Sequence, residues 1–567
     1  MADEQKELIK SIAKKTDEHE FYTPLPSGYQ FGKAKYVVVT GTVMSGLGKG
    51  IFASSLGRLL KENGLRVTAM KFDGYLNVDA GTLNPYRHGE VFVLDDGTEC
   101  DMDLGTYERF LDEDLSKENY LTAGKLFTQI LQKEREGKYL GRDVLFIPHV
   151  TGEIKGFVRS LAMKSKADVV IIEVGGTVGD IENSYFIEAM RELAYEEGQG
   201  NVCFVTLTYI MKPSALGEHK SKAAQLGVRT LMSAGIQPHI IACRSEEEIP
   251  DKIREKISIY TNVPIQRVVG LHDQASIYDI PEFLKEKNMH KEMSEILKIK
   301  ISETKESWRE WNSFHQKELD AKKKITVGMT GKYTGLRDSY ASIINALEHA
   351  SAVNNCKAEI KWIDTTEVTK ENVGERLKHL DGIIVPGGFG SRGTEGKIEC
   401  IRFARENNLP YLGLCYGFQM AVIEFSRNLL KLKDANTTEI DQETKNPVID
   451  LLEEQRKKWG LGGNMRLGGR EVLIKKDTQA YRLYNSTKAR ERFRHRYECN
   501  PEYVQKLEEK GIVFSGKSST EEIMQILELP SNKFFMGTQY HPEFTSRPTS
   551  PNPMYKGFVE ACLTQGK

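Results

Sequence analysis

A cysteine between two glycines, a distant histidine and a carboxylate two residues beyond it are the first residues in this chain that could act together. Gly413-Leu414-Cys415-Tyr416-Gly417 follows the apolar run PYL and precedes FQMAVIEFSRNLL, which reads as a helix. G-x-C-x-G has the form of a nucleophile elbow with cysteine in place of serine. A sharp strand-to-helix turn would expose the sulfur and set it at a helix N-terminus, which favours thiolate. A buried structural cysteine is the plainer reading, but it leaves the flanking glycines without a use. His541 lies in Gly537-Thr-Gln-Tyr-His541-Pro-Glu543-Phe after a strand-like FFMG. An extended segment would put His541 and Glu543 on one face. Cys415, His541 and Glu543 thus supply nucleophile, general base and orienting carboxylate. Pro386-Gly387-Gly388-Phe389-Gly390, after DGIIV, offers backbone N–H groups for an oxyanion hole.

A second set of residues suits phosphate chemistry. Val39-Thr-Gly-Thr-Val-Met-Ser45-Gly46-Leu47-Gly48-Lys49-Gly50 follows an apolar run and opens the helical stretch IFASSLGRLLKENG. Helix-start N–H groups and Lys49 could hold phosphate oxygens. The strict pattern G-x-x-x-x-G-K-[ST] is not met: Val43 stands at the first glycine and Gly50 at the Ser/Thr. A generic glycine-rich turn therefore remains open. Two acidic stretches could serve Mg²⁺: Asp95 to Asp103, and Glu173 at the end of an apolar run. Each also fits a solvated loop acid. Lys71, Lys220, Lys222 and Lys256 could pair with a triphosphate, or be surface lysines.

The elements that must position these groups follow from the rest of the chain. Its 567 residues allow two or three domains. A hydrophobic share of 39% and a charged share of 28% are those of a soluble globular protein, and a net charge of −1 gives no global field for nucleic acid or an anionic membrane. No apolar run reaches membrane-spanning length, and the charged first residues do not read as a secretory signal. Eight scattered cysteines without a C-x-x-C pair suggest neither a zinc site nor a disulfide framework, so a cytoplasmic location is expected.

Residues 1–35 read as a polar arm with one short helix around Glu4–Lys15. From Tyr36 the runs YVVVTG, RVTAMKFD, DVLFIPHV, DVVIIEVGG, NVCFVTLTYI, HIIACRS and RVVGLH alternate with amphipathic stretches, which predicts a parallel sheet flanked by helices over 36–299. Residues 300–324 read as a charged linker helix. A second β/α series, ITVGMTGKY, AEIKWID, DGIIVPGG and PYLGLCYG, occupies 325–567. The fold class expected is α/β, with two doubly wound domains.

The landmarks PGG, elbow and HPE resemble those of class I glutamine amidotransferases. From about Tyr36 the chain resembles the CTP synthase family in SGLGKGI, LNVDAGT, HGEVFVLDDG, YERFLD, EVGGTVGDIE, CRS, NVP, SIYDIP, GKYTGLRDSY, PGGFGSRGTEGKI, DANTTEID, MRLGG, RHRYE and HPEFTSRP. The resemblance implies a P-loop-like ATP-dependent amidoligase half and a Cys-His-Glu glutaminase half. It implies that ATP phosphorylates O4 of UTP and that channelled ammonia from glutamine displaces the phosphate, giving CTP. It also implies residue roles. Ser45, Gly46, Leu47, Gly48, Lys49 and Gly50 would cradle ATP, Lys71 would assist phosphoryl transfer, and Asp103 and Glu173 would bind Mg²⁺. Lys220, Lys222, Gln225, Lys256, Asp180 and Glu182 would bind UTP. Gly387, Gly388, Gln419, Glu439 and Arg496 would hold glutamine. GTP activation (with Arg392 a candidate contact), CTP inhibition, a homotetramer and filaments are further family traits.

The family pattern is broken at several points. K-T-K-P-T-Q reads Lys220-Ser-Lys-Ala223-Ala224-Gln225, K-x-D-P-Y has Gly74, L-G-H-Y-E-R-F has Thr106, and D-I-E-S-L-P reads Asp180-Ile-Glu-Asn-Ser-Tyr185. The elbow has Tyr416 and Phe418 where Leu and Met are common. The changes gather around the pyrimidine site, so a paralogous amidoligase acting on a modified uridine nucleotide or another carbonyl acceptor is the alternative. A weakly active filament or scaffold subunit is a third reading.

Overall fold

The structure is a computed structural model that describes residues 22–215, 217–302, 305–332, 336–451 and 465–564. The helix expected around Glu4–Lys15 lies outside them. The chain divides into two compact units. One comprises residues up to Thr82 together with Thr106–Arg309; the other comprises Leu83–Gly105 together with Glu310–Lys567. Residues 83–105 thus group with the later half of the chain.

The first unit is built on a seven-stranded sheet in the order Tyr120–Thr122, Val67–Asp73, Val169–Val174, Lys35–Gly41, Val202–Tyr209, Ile240–Ser245 and Val268–His272. All pairings are parallel. Val67–Asp73 and Val169–Val174 are buried at every position, as expected of strands covered by helices on both faces. The chain leaves the central strand Lys35–Gly41 to one side through the helix Lys49–Glu62, and later crosses to the other side at Val202–Tyr209. Ligands of such sheets bind outside the strand C-termini where the order reverses.

One expected strand is absent. DVLFIPHV instead bends: Ile147 is extended (φ −116°, ψ 124°), and the chain turns over Phe146–Val150 into the helix Thr151–Ser165. Pro148 has no N–H for a sheet ladder, and Leu145, Phe146 and Ile147 are more than half exposed.

The second unit carries a nine-stranded mixed sheet. Five strands are parallel: Cys356–Asp364, Lys323–Gly331, Gly382–Val385, Tyr411–Leu414 and Phe535–Thr538. Met524–Glu528, Val513–Ser518, Arg466–Ile474 and Lys488–His495 continue it antiparallel. Val91–Val93 and Glu99–Asp101 pair as a small antiparallel hairpin. The charged stretch before the second series is helical over Lys305–Asp320, with Trp308, Trp311 and Phe314 buried and an opposite face solvated, as its composition implies.

Candidate functional site

Cys415 sits where the strand Tyr411–Leu414 turns into the helix Tyr416–Asn428, with φ 48° and ψ −94°. That left-handed backbone is strained for a residue with a Cβ and typical of functional turns. It is held by Cys415 N–H donating to Thr538 O at 2.7 Å. The glycines on either side are sterically required. A Cβ at Gly413 would meet the Tyr411 hydroxyl at 2.1 Å, and one at Gly417 would meet Val385 O at 2.3 Å. The sulfur is not exposed as the elbow pattern predicted, since Cys415 is only 6% accessible. Its Sγ lies 3.5 Å from Arg494 O.

His541 and Glu543 are paired, Nδ1 to Oε1 at 2.7 Å. They do not lie on an extended strand. His541 caps a short helix, Pro542–Thr545, whose start suits the fixed φ of Pro542; the turn still brings the two side chains together. Gly387 adjoins both reacting groups: a Cβ there would lie 3.0 Å from His541 Cε1 and 3.8 Å from Cys415 Cβ. Burial works against a charged imidazole, but the Glu543 carboxylate and then the Cys415 sulfur outweigh it and push the His541 pKa up to about 10. A nucleophile beside a basic, carboxylate-anchored imidazole is equipped for acyl transfer. The N–H groups of the Gly387-Gly388 loop and of the helix start can face a developing oxyanion.

Of the other residues expected to hold glutamine, Gln419 shares the helix that follows Cys415 and Glu439 meets the glycine loop. Gln419 lies one helical turn past Cys415 and donates to Tyr497 O at 2.8 Å. Glu439 accepts from Gly390 N–H at 2.9 Å. Burial raises its pKa, and Gly390 N–H, Lys332 and Arg496 oppose the rise. An acid and two cations thus lie within electrostatic reach of one another near the glycine loop. Two neighbours were not singled out in the sequence. Gln539 Nε2 lies 3.7 Å from Cys415 Sγ. The buried Lys397 donates to Pro386 O at 3.4 Å and lies 5.0 Å over the Tyr416 ring. The only signal for Lys397 was its place in GTEGKI, a turn of helix past the glycine loop.

In the first unit, Val43, Gly46 and Gly48 all have φ between 72° and 77°. Val43 therefore takes the backbone form that glycine supplies in the strict motif. Lys49 folds back beneath the loop and donates to Gly176 O at 2.8 Å. Lys71 contacts Glu173 at 2.9 Å and Asp73 at 3.9 Å. Tyr107 donates to the other Glu173 oxygen, a link that YERFLD alone does not announce. The helix Lys222–Ser233 abuts the loop: a Cβ at Gly227 would meet Thr42 at 2.7 Å. Lys220 pairs with Glu218, whose carboxyl is held below its usual range by Lys220 first and by Lys256 further off. Gln225 is buried and donates to Ser221 at 3.1 Å, while Lys222 is exposed. Asp180 accepts from Thr177 N–H at 2.8 Å, and Glu182 is exposed on the same turn.

Glu173 belongs to the first unit and Asp103 to the segment grouped with the second. Among the described residues no group of three or more His, Cys, Asp or Glu side chains is placed to hold a metal ion. Of the acidic stretch, Asp95 is engaged by Arg490 and Asp101 caps the Asp103 N–H at 2.9 Å.

Residues 35–299 match the family model "CTP synthase N-terminus", and residues 336–561 match "Glutamine amidotransferase class-I". The chain belongs to the CTP synthase family. A CTP synthase of Thermococcus kodakarensis is 50% identical over 530 residues, covering 93% of this chain and 98% of that protein. One of Saccharolobus solfataricus is 48% identical over 535 residues, covering 94% and 99%. A solved structure, the glutaminase domain of Trypanosoma brucei CTPS with bound acivicin, is 34% identical, covers 43% of this chain and 95% of its own, and gives a TM-score of 0.41. Membership of this family accounts for two sites of unlike chemistry in one chain. Among the described residues no helix is long and apolar enough to cross a membrane.

Proposed function

We propose that the chain makes CTP from UTP, using ATP and the amide nitrogen of glutamine. The observation that carries this is the Cys415–His541–Glu543 constellation in the same family-matched chain as the Lys49 loop and the Lys71–Glu173 pair. Cys415 attacks the glutamine amide carbon, and the negative oxygen is met by N–H groups of the Gly387-Gly388 loop. His541, anchored by Glu543, delivers the proton that lets ammonia leave. Water then cleaves the thioester to give glutamate. Gln419, Glu439 and Arg496 hold the substrate's charged end.

In the other half, residues 45–50 cradle ATP while its terminal phosphoryl group passes to O4 of UTP, with Lys71 countering the charge of the group in transit. Ammonia displaces that phosphate at C4. Lys220, Lys222, Gln225, Lys256, Asp180 and Glu182 are the proposed UTP contacts. Glu173 offers a hard oxygen donor of the kind Mg²⁺ takes and would help hold the ion, which would neutralise phosphate charge. A GTP-activated cytoplasmic homotetramer, able to form filaments, completes the proposal. UTP is favoured over a modified nucleotide by the names of the relatives matched, and the complete triad speaks against a scaffold.

The test supplies ATP, Mg²⁺ and UTP with either glutamine or ammonia and quantifies CTP. CTP should form from both donors, and Cys415→Ala should abolish only glutamine use. ATP consumption without CTP from either donor would overturn UTP as acceptor.

A further inference from the structure

The hairpin Val91–Val93/Glu99–Asp101 lies inside the stretch matched as the synthase N-terminus, yet it packs within the compact unit that holds Cys415. It grips one strand, Lys488–His495, at three alternate arginines, whose side chains share a face. Asp95 takes Arg490 in a bidentate pair, Nε to Oδ1 at 2.9 Å and Nη2 to Oδ2 at 2.6 Å. Val93 O accepts from Arg492 at 3.2 Å, and the Arg492 guanidinium lies 5.5 Å over the Phe92 ring. Glu99 takes Arg494 at 2.7 Å. The neighbouring strand makes room for the hairpin turn: a Cβ at Gly468 would come within 2.5 Å of Gly97 N, and one at Gly469 within 1.8 Å of Asp95 Oδ1.

The gripped strand in turn seats the reacting groups through its backbone. Arg492 O accepts from His541 N–H at 2.8 Å. Arg494 O lies 3.5 Å from Cys415 Sγ. A second route runs through rings: Phe92 meets Phe544 edge-on at 4.9 Å, and Phe544 stacks on the His541 imidazole at 4.8 Å and 13°. Both routes end on the nucleophile or base.

We propose that Phe92 and Glu99 are positioning residues for glutamine hydrolysis, so that the glutaminase centre is completed by a hairpin from the synthase stretch of the chain. Glu99 fixes the register of the carbonyl beside the sulfur, and Phe92 fixes the plane of the imidazole. Neither touches substrate. A misplacement of a few tenths of an ångström to 1 Å at reacting atoms lowers the rate of the chemical step without weakening substrate binding.

The inference rests on the glutaminase reading above. The experiment uses the full chain and follows glutamate release and, separately, CTP formed from ammonia. Glu99→Ala and Phe92→Leu should each lower kcat for glutamine about tenfold with KM unchanged, while ammonia-dependent CTP formation holds and the melting temperature falls by only a few degrees. Phe92→Leu should also move the pH profile of kcat, and the charge-swapped pair Glu99→Arg with Arg494→Glu should recover much of the lost rate. Unchanged kcat in both variants would overturn the proposal. So would parallel loss of both activities and of thermal stability, which marks a purely structural role. Absence of glutamine hydrolysis in the unsubstituted chain would instead sink the function itself.

Discussion

At the scale of single residues, the site is governed by which charges stay buried together. The His541 pKa stands near 10 because Glu543 and Cys415 outweigh burial, and Glu543 is the larger of the two. Glu543→Gln keeps the shape and removes the charge. Burial then acts with one opponent fewer, so the imidazole pKa should fall toward its ordinary 6.5. The limb of the kcat–pH profile that reports His541 should move to lower pH, and kcat should drop about 10²- to 10⁴-fold. Lys397 shows the opposite balance. Burial first, and repulsion from Lys332 second, push its pKa down to about 7 against an ordinary 10.5, with Cys415 opposing. Below pH 7 both folded and unfolded chains carry the charge, and the folded state bears the whole cost. Between pH 7 and 10.5 only the unfolded chain binds the proton, so stability climbs with pH; above 10.5 the cost is gone. Lys397→Met should therefore stabilise the protein most at pH 6, on the order of a few kcal/mol. Denaturant melts at pH 6 and pH 10 should show the gain shrinking with rising pH.

At the scale of elements, most strands were legible because buried parallel strands are continuous apolar runs, and the elbow was legible because its glycines are dictated by contacts with Tyr411 and Val385. The run DVLFIPHV misled because apolar composition alone does not separate a strand from an exposed turn; Pro148 was the discriminating residue. The His541–Glu543 pairing came through although the local backbone did not, since a proline-started helical turn and an extended segment can both bring residues two apart together. The departure at Gly74 also has an element-scale reason. A Cβ there would lie 2.7 Å from Glu182 O and 2.9 Å from Glu182 Cβ. The proline of the family pattern would meet the same obstacle in this chain. Here Gly74 lets the turn Asp180–Asn183 settle over the end of the strand Val67–Asp73. Gly74→Ala must displace that turn, since the backbone at Glu182 cannot swing aside like a side chain. Initial-rate kinetics with ammonia should show KM for UTP raised about tenfold, equivalent to about 1.4 kcal/mol, with glutamine hydrolysis unaltered. An unchanged KM would remove Asp180 and Glu182 from the UTP site.

At the scale of the whole molecule, the sequence reads as two α/β series in succession, divided near residues 300–324, whereas the compact units exchange residues 83–105. No periodicity announces this. The decisive contacts join residues as far apart as Asp95 and Arg490, a separation of 395 positions, and one sequence carries no record of which distant charges pair. The exchange has a measurable consequence. Phe92, Val93 and Leu94 are fully buried, and Arg492 is 1% exposed while donating to Val93 O. A fragment spanning 310–567 would expose the surfaces that cover these side chains and leave Arg490, Arg492 and Arg494 without Asp95, the Val93 carbonyl and Glu99. Burying each large apolar side chain contributes about 1.5–3 kcal/mol, so the loss should be several kcal/mol, enough to lower the melting temperature by well over 5 °C for a domain of this size. A synthetic peptide of residues 83–105, added in trans, should raise the melting temperature saturably, and the same peptide with Asp95→Ala and Phe92→Ala should not. If the fragment melts at one temperature with or without the peptide, the hairpin contributes nothing to that unit, and the contacts it makes with the strand Lys488–His495 do not survive outside the intact chain.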